Sequence, residues 1–191
     1  MLVLLLALPA VHLGPPDAAL LARGDVVLQF AEAPGSAFPV ATAHVIVDAP
    51  PARVWSIVSD CERTGEFMPD VHSTGVVPEG TGTSRCAVVV DMPFPLRDLA
   101  SVTRAVLEVT PGVRWQRSWR LIEGDFTVNE GFWRVEPTAD GRTLATYHID
   151  VRPKVPLPAW LVGLIQRAKL PEMMHRLRQV ARASELMVEQ R

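Results

Sequence analysis

Val155-Pro-Leu-Pro-Ala-Trp160 begins the stretch that decides the fold, a predicted helical segment running to Glu189. Its two prolines suit the residues just before a helix or in its first turn, and they are excluded from a helix interior. Apolar residues then recur at intervals of three and four, which predicts one apolar stripe along a long helix. The stripe consists of Leu161, Leu164, Ile165, Ala168, Leu170, Met173, Met174, Leu177, Val180 and Ala181. Pro171 lies inside this run, so we expect a kink or short break over residues 167–170.

A helix of this length needs a broad apolar surface, and the preceding segment predicts a sheet that supplies one. Six runs between residues 71 and 152 are rich in β-branched and aromatic residues and are separated by turn residues. They are His72–Val77, Ser84–Met92, Leu99–Thr110, Arg114–Glu123, Thr127–Glu136 and Arg142–Arg152. Short turns between consecutive strands predict an antiparallel meander. Alternation in the last run puts Tyr147 on the face toward the helix and His148 on the outside.

The N-terminal part predicts two further strands and two short helices. The strands are Asp25–Phe30 and Ala41–Val47. The first helix has Asp48 as a candidate cap and Pro50 and Pro51 in its first turn, and the second covers residues 61–68. The predicted fold class is α+β: a curved antiparallel sheet wrapped around a long C-terminal helix, with two short helices after the first core strand. We expect an apolar space between the sheet and that helix.

Length and composition indicate one globular domain with a full core. The chain has 191 residues, of which 48% are hydrophobic and 21% are charged. A formal net charge of −2 provides no overall attraction to nucleic acid. We therefore expect a monomeric protein with no nucleic-acid partner.

The first residues form an apolar run, Leu2–Leu13, which is shorter than the ~20 residues that a transmembrane helix needs. Its length fits the apolar part of an export signal, with a candidate cleavage site after Ala10. We predict a leader over residues 1–19 and a domain over residues 20–191 with its core at 41–183. The protein is then periplasmic or secreted. If the run is a buried first helix or a misplaced start, the protein is cytoplasmic.

Residues with catalytic or metal-binding chemistry are sparse. Cys61 and Cys86 form either one disulfide or two buried thiols. The histidines do not lie three or four residues apart on a predicted helix, and nucleophile-elbow and phosphate-loop motifs are missing. We predict no metal and no cofactor, and the sequence favours a protein that is not an enzyme.

Arg117 is the unusual polar residue of the predicted sheet. Alternation places it on the same face as Trp119, among bulky apolar groups. A buried arginine needs a partner, and Glu130, or Arg104 with Glu108, are candidates for such a network. The alternative places Arg117 at the rim of the sheet with its head group in water.

The order of these elements resembles the helix-grip domains of the START, polyketide cyclase and Bet v 1 superfamily, in its bacterial START-like branch. The resemblance covers about Ala41–Ala183. The similar stretches are Val47–Asp60 with Trp55, Glu66–His72, Asp91–Asp98, Gly131–Pro137 followed by Thr143–Tyr147, and Val155–Leu161. The chain departs from START domains at Leu99-Ala100, where these commonly have an Arg-Asp pair.

This resemblance implies a tunnel between the sheet and the last helix that holds a lipid, sterol, quinone or polyketide-like molecule. Methionine and tryptophan suit such a lining, although at these spacings they also suit a filled core. The candidate lining residues are Phe67, Met68, Val88, Val90, Arg104, Trp115, Arg117, Trp119, Trp133, Tyr147, Leu164, Ala168, Met174 and Leu177. The expected function is that of a carrier or lipid-binding protein.

Two other functions follow from the same resemblance. One is a cyclase or dehydratase acting on a polyketide, and the other is a role like that of the ribosome-associated or protein-binding relatives. A transient contact with an anionic membrane is a further expectation, since the last helix carries five basic residues. They are Arg167, Lys169, Arg176, Arg178 and Arg182, and a solvated polar face explains them equally.

Overall fold

A computed structural model describes residues 13–92 and 96–189, with side chains up to residue 183. Within these residues the chain forms four helices and eight strands. They are α1 (Pro15–Ala22), β1 (Val27–Glu32), β2 (Pro39–Val47), α2 (Pro51–Val58), α3 (Thr64–Phe67), β3 (Val71–Gly80), β4 (Thr83–Val90), β5 (Leu99–Thr110), β6 (Arg114–Gly124), β7 (Phe126–Pro137), β8 (Thr143–Pro153) and α4 (Ala159–Glu189). The predicted strands and both short helices are present, and the predicted fold class is confirmed.

The eight strands form one antiparallel sheet in the order β1-β2-β8-β7-β6-β5-β4-β3. The meander β3 to β8 is therefore continued by β2, which pairs with β8. Ala43, Tyr147, Trp133 and Arg117 lie opposite one another across β2, β8, β7 and β6. Because directly opposed residues point to the same side of a sheet, this row lies on one face, the face that α4 covers.

Helix α4 lies on that inner face and fills much of its hollow. Met173, Met174 and Leu177 are at most 2% exposed and belong to the same apolar cluster as Phe67 and Trp133. The helix is continuous through Pro171, so there is no break over residues 167–170, and the alternative, a kink, stays a prediction. A proline removes one backbone hydrogen bond, and the buried residues on both sides of it hold the adjoining turns in place. None of the described helices is long and apolar enough to cross a membrane.

The other face of β2 and β8 is less open than the alternation suggested. Thr146 and His44 are 3% and 1% exposed, because α1 packs on β1 and β2 from that side. Asp17 of α1 accepts a hydrogen bond from Gln29 of β1 at 2.9 Å. Part of the face predicted to lie outside is thus a second, polar interior.

Smaller differences concern the two short helices. The residue before α2 is Pro50, without a side-chain cap, so Asp48 does not cap this helix. Helix α3 is a single turn, shorter than the predicted residues 61–68. Cys61 lies just before it and is joined by a disulfide to Cys86 of β4, with the Cα atoms 5.9 Å apart.

Candidate functional site

The sheet encloses a cavity of about 150 Å³ beneath α3. Strands β4 to β8 form its walls, and α3 with the residue after it covers one side. The lining residues are Thr64, Met68, Cys86, Val88, Val90, Ser101, Thr103, Arg117, Trp119, Phe126, Asn129, Trp133, Tyr147 and Val151. The cavity is therefore mostly apolar, with a few polar groups at defined positions, as is typical of small-molecule sites.

Half of the residues predicted to line a cavity do so. They are Met68, Val88, Val90, Arg117, Trp119, Trp133 and Tyr147. Register explains this agreement, since strict alternation along β4, β6, β7 and β8 brings every second residue to the inner face.

The remaining predicted residues lie elsewhere. Phe67, Met174 and Leu177 are core residues, and Trp115 packs against that core. Arg104, Leu164 and Ala168 are exposed. Arg104 forms an ion pair with Glu79. No described residue of α4 lines the cavity. The expected position between sheet and helix was thus wrong, because the large side chains of α4 close that space.

Seven lining residues were not predicted: Thr64, Cys86, Ser101, Thr103, Phe126, Asn129 and Val151. Val151 was recognisable, since alternation puts it on the same face as Tyr147. Ser101 and Thr103 lie on the same face of β5 as the buried Leu99. Because both are polar, the sequence did not indicate that they are buried. Whether Thr64 lines the cavity depends on where α3 packs against the sheet, and local sequence patterns do not predict that position.

Aromatic rings form the largest surface of the cavity. Tyr147 stacks on Trp119, with ring centroids 5.7 Å apart and planes 27° from parallel. The centroids of the Tyr147 and Trp133 rings are 4.7 Å apart. Phe67 meets Trp133 edge to face and fixes it from the core side. Such a wall gives a guest molecule rigid, flat apolar contacts.

One set of polar groups in the cavity is internally hydrogen-bonded. Trp119 Nε1 donates to Asn129 Oδ1 at 3.2 Å, and Asn129 Nδ2 donates to Ser101 Oγ at 3.2 Å. Thr103 Oγ1 donates to the backbone oxygen of Cys86 at 3.3 Å. These contacts position the Trp119 ring and leave the Ser101 O–H as a donor that a guest could use.

Arg117 differs from that set. It is 6% exposed, so the position at the rim was wrong, and its guanidinium lies 5.8 Å from the centre of the Trp119 ring. Within the described residues it makes no hydrogen bond or ion pair. The predicted acidic partner Glu130 lies near Arg120 instead. Burial lowers the pKa of Arg117.

The other candidate network of Arg117 is also not formed. Arg104 donates to Glu79, at 2.7 Å, and Glu108 is exposed. Arg104 points away from the cavity because it alternates with the inward-facing Thr103. Arg117 therefore carries a positive charge into the cavity without a carboxylate in ion-pair contact. Burial lowers the pKa of Arg117, and Asp60, which acts on it only through space, partly offsets this lowering.

Two hydroxyl groups accompany Arg117. Tyr147 is buried, which raises the pKa of its phenol, and its hydroxyl has no hydrogen-bond partner among the described residues. Thr64 Oγ1 is buried and, within the same part of the chain, also has no partner. The cavity thus contains three polar groups that the described protein atoms leave without a hydrogen bond.

Among the residues that the structure describes, one surface group has side chains of metal-ligand type. His72, Asp91 and Asp98 are exposed, and their ligand atoms lie within 4.8 Å of one another. None of the three lines the cavity, and exposed acidic clusters are common without a metal ion.

The five basic residues of α4 all have intramolecular contacts. Arg167 lies over the ring of Phe30, Lys169 pairs with Asp70, Arg176 with Glu172 and Arg182 with Asp48, and Arg178 donates to the backbone oxygen of Ile46. These contacts explain the five basic side chains of α4 without a contact to a membrane. The membrane contact stays a prediction.

Comparisons with known proteins agree with this geometry. The family described as polyketide cyclase / dehydrase and lipid transport matches residues 47–178. A search of curated proteins found no match. A STAR-related lipid transfer protein fragment from Xanthomonas axonopodis is 16% identical with a TM-score of 0.73, and the alignment covers 82% of this chain and 93% of that one.

Two further solved structures show the range of the fold. Human STARD10 is 13% identical with a TM-score of 0.74, covering 86% of this chain and 72% of that one. The Zhui aromatase/cyclase from Streptomyces sp. R1128 is 18% identical with a TM-score of 0.55, covering 74% and 90%. At such identities the structures establish the fold alone. These solved structures share the helix-grip fold of this chain. Because the family match spans more than half of the chain, this protein belongs to the polyketide cyclase / dehydrase and lipid transport family.

Proposed function

We propose that the protein carries a small apolar molecule in the cavity beneath α3. Family membership makes this a hydrophobic ligand-binding domain, and the aromatic cavity is the observation that supports a carrier. Elsewhere the inner face is filled, with Met174 and Leu177 fully buried. The cavity is thus a specific opening in a well-packed core.

Exclusion of the guest from water would drive binding. Burial is worth about 25 cal/mol per Å² of apolar surface, so a guest burying ~150 Å² gains roughly 4 kcal/mol before the cost of association. Uptake and release require the cover of the cavity to move. Helix α3 is the proposed moving part, because it is one turn long and contributes Thr64 to the lining.

We further propose that the protein works outside the cytoplasm. The apolar run Leu2–Leu13 lies almost entirely outside the described residues, so its predicted role as a leader rests on the sequence. The disulfide between Cys61 and Cys86 supports export, since such bonds persist in oxidising compartments.

A cyclase or dehydratase is the second candidate, favoured by the buried Tyr147 hydroxyl. Burial raises the pKa of this phenol, so at neutral pH the group stays protonated and could donate a hydrogen bond to a substrate oxygen. Turnover of a polyketide substrate by the wild type and its loss in Tyr147→Phe would support the enzyme. Unchanged turnover in that variant would show that the Tyr147 hydroxyl has no role in the reaction.

The carrier is tested by purifying the protein under native conditions and analysing organic extracts by mass spectrometry. An apolar compound should co-purify with the wild type. Val88→Phe should lose it by filling the cavity, whereas Val89→Phe, on the opposite face of β4, should retain it. Equal ligand content in the two variants, or none in the wild type, would contradict the proposal.

A further inference from the structure

Three donors line one cavity without an acceptor. The Arg117 guanidinium can only donate hydrogen bonds, and the hydroxyl groups of Tyr147 and Thr64 can each donate one. Thr64 Oγ1 is buried without a partner. Among the described residues the Tyr147 hydroxyl forms no hydrogen bond, and the Arg117 guanidinium contacts only the face of the Trp119 ring. Leaving a buried donor unpaired is unfavourable. Three such groups facing one space indicate that a ligand supplies the missing acceptor.

We infer that the ligand has a carboxylate head that binds Arg117, with the Tyr147 and Thr64 hydroxyls as further donors, and a compact apolar body against Trp119 and Trp133. This inference rests on the proposed function and specifies the class of guest. A carboxylate has two oxygens with about four acceptor sites, which is enough for all three donors.

The balance of charge favours an anion over a neutral polar head. No carboxylate of the described residues lies within ion-pair distance of Arg117. An anionic head would neutralise the buried guanidinium and could accept two parallel hydrogen bonds from it. Ser101 accepts a hydrogen bond from Asn129, so its own O–H is a further donor that the same anionic head could use.

The cavity size restricts the body of the ligand. A volume of about 150 Å³ is below the range of roughly 300–1,000 Å³ that is usual for drug-sized ligands. Dry protein cavities of about this volume bind benzene. The part of the ligand inside the cavity is therefore a single ring or a short alkyl chain, and not the two chains of a phospholipid or the ring system of a sterol.

The test compares octanoate with 1-octanol, which have the same chain length and differ in the charge of the head. Isothermal titration at neutral pH should show octanoate binding to the wild type about 10- to 100-fold more tightly than octanol. Arg117→Met, which keeps the length of the side chain and removes its charge, should abolish this preference and leave octanol binding within about 3-fold. Arg117→Lys, which keeps the charge, should retain part of the preference.

A second readout separates binding from a structural role. Arg117→Met should unfold at the same or a higher temperature than the ligand-free wild type, because it removes an unpaired buried charge. A marked fall in its unfolding temperature would show that Arg117 has a structural partner and would overturn the inference.

The binding outcomes distinguish the two levels of the proposal. If the wild type binds octanol as tightly as octanoate, the carboxylate head is wrong and the apolar carrier remains. If the preference for octanoate persists in Arg117→Met, another residue binds the head and the inference is overturned. If neither compound binds, both this inference and a carrier of small apolar molecules in this cavity are contradicted.

Discussion

His44 of β2 lies in the polar interior between α1 and the sheet, where protonation is unfavourable. Its Nδ1 is 3.0 Å from Thr146 Oγ1, and within the described residues its Nε2 has no partner. Burial lowers the pKa of His44 to about 4; Arg134 and His148 also lower it, whereas Asp17 raises it. The unfolded chain therefore binds this proton below pH ~6.5, while the folded protein binds it only near pH 4.

The resulting prediction is a loss of stability in mild acid. Because the unfolded state binds more protons between pH 6.5 and 4, the free energy of unfolding should fall as the pH falls through this window. From pH 7 to 4.5 the contribution of His44 is about 2 kcal/mol. Urea unfolding at both pH values should show a fall smaller by about that amount in His44→Gln. An identical pH dependence in the two proteins would refute this role.

Gly131 of β7 is the residue whose missing side chain allows Trp119 to occupy its position. A Cβ there would lie 2.0 Å from the backbone oxygen of His148 and 2.8 Å from Trp119 Cζ2. Gly131→Ala should lower the free energy of unfolding by roughly 2 kcal/mol or more, because backbone and ring must both shift. Gly75→Ala is the matched control on β3, where the new methyl group meets only Ala87 at 4.0 Å. Similar losses of stability in the two variants would contradict this explanation.

At the scale of single elements, α4 contributes through its buried stripe. Leu177 is fully buried, whereas Leu164 on the same helix is 55% exposed. Leu177→Ala should lower the free energy of unfolding by about 2–5 kcal/mol, and Leu164→Ala should change it by no more than ~0.5 kcal/mol. Chemical denaturation of both variants measures the difference. Equal losses of unfolding free energy would mean that the helix face with Leu177 is not the buried face of α4.

The disulfide joins the segment between α2 and α3, at Cys61, to Cys86 of β4, which lines the cavity. Replacing both Cys61 and Cys86 by alanine should lower the free energy of unfolding by about 3 kcal/mol, since the bond restricts the unfolded chain. Denaturation with and without a reductant checks this. Reduction should destabilise the wild type by a similar amount and leave the double variant unchanged; a reductant effect on the variant would mean that another process is being measured.

At the scale of the whole molecule, the N-terminal boundary can be placed more narrowly than the predicted leader of residues 1–19. Helix α1 starts at Pro15, and its Asp17 binds Gln29. Cleavage after Ala10 preserves α1, whereas removal of residues 1–19 would delete most of it.

We therefore predict that the exported chain begins between residues 11 and 14. N-terminal sequencing of the mature protein measures this directly. A chain that begins at residue 20 should be less stable than the mature one, because it exposes the polar interior around His44. An intact N-terminus on protein recovered from outside the cytoplasm would contradict the leader.

The elements of this protein could be predicted from the sequence alone because their signals are local. β-branched residues between flanking turn residues defined β5 at its observed bounds, Leu99–Thr110. Spacing of three and four defined the stripe of α4. Turn residues between neighbouring strands determined the antiparallel meander, because short connections leave few alternatives. These features depend on residues that are close together in the chain.

The position of the cavity was decided only by the tertiary structure. Met174 and Leu177 carry the same apolar signal whether they line a space or fill it, and only their packing against the sheet shows that they fill it. Arg117 was recognisable as unusual, but its lack of a partner depends on where Glu130 and Arg104 point. The sequence determines which face of each element is buried; the volume left between those faces depends on contacts across the whole molecule.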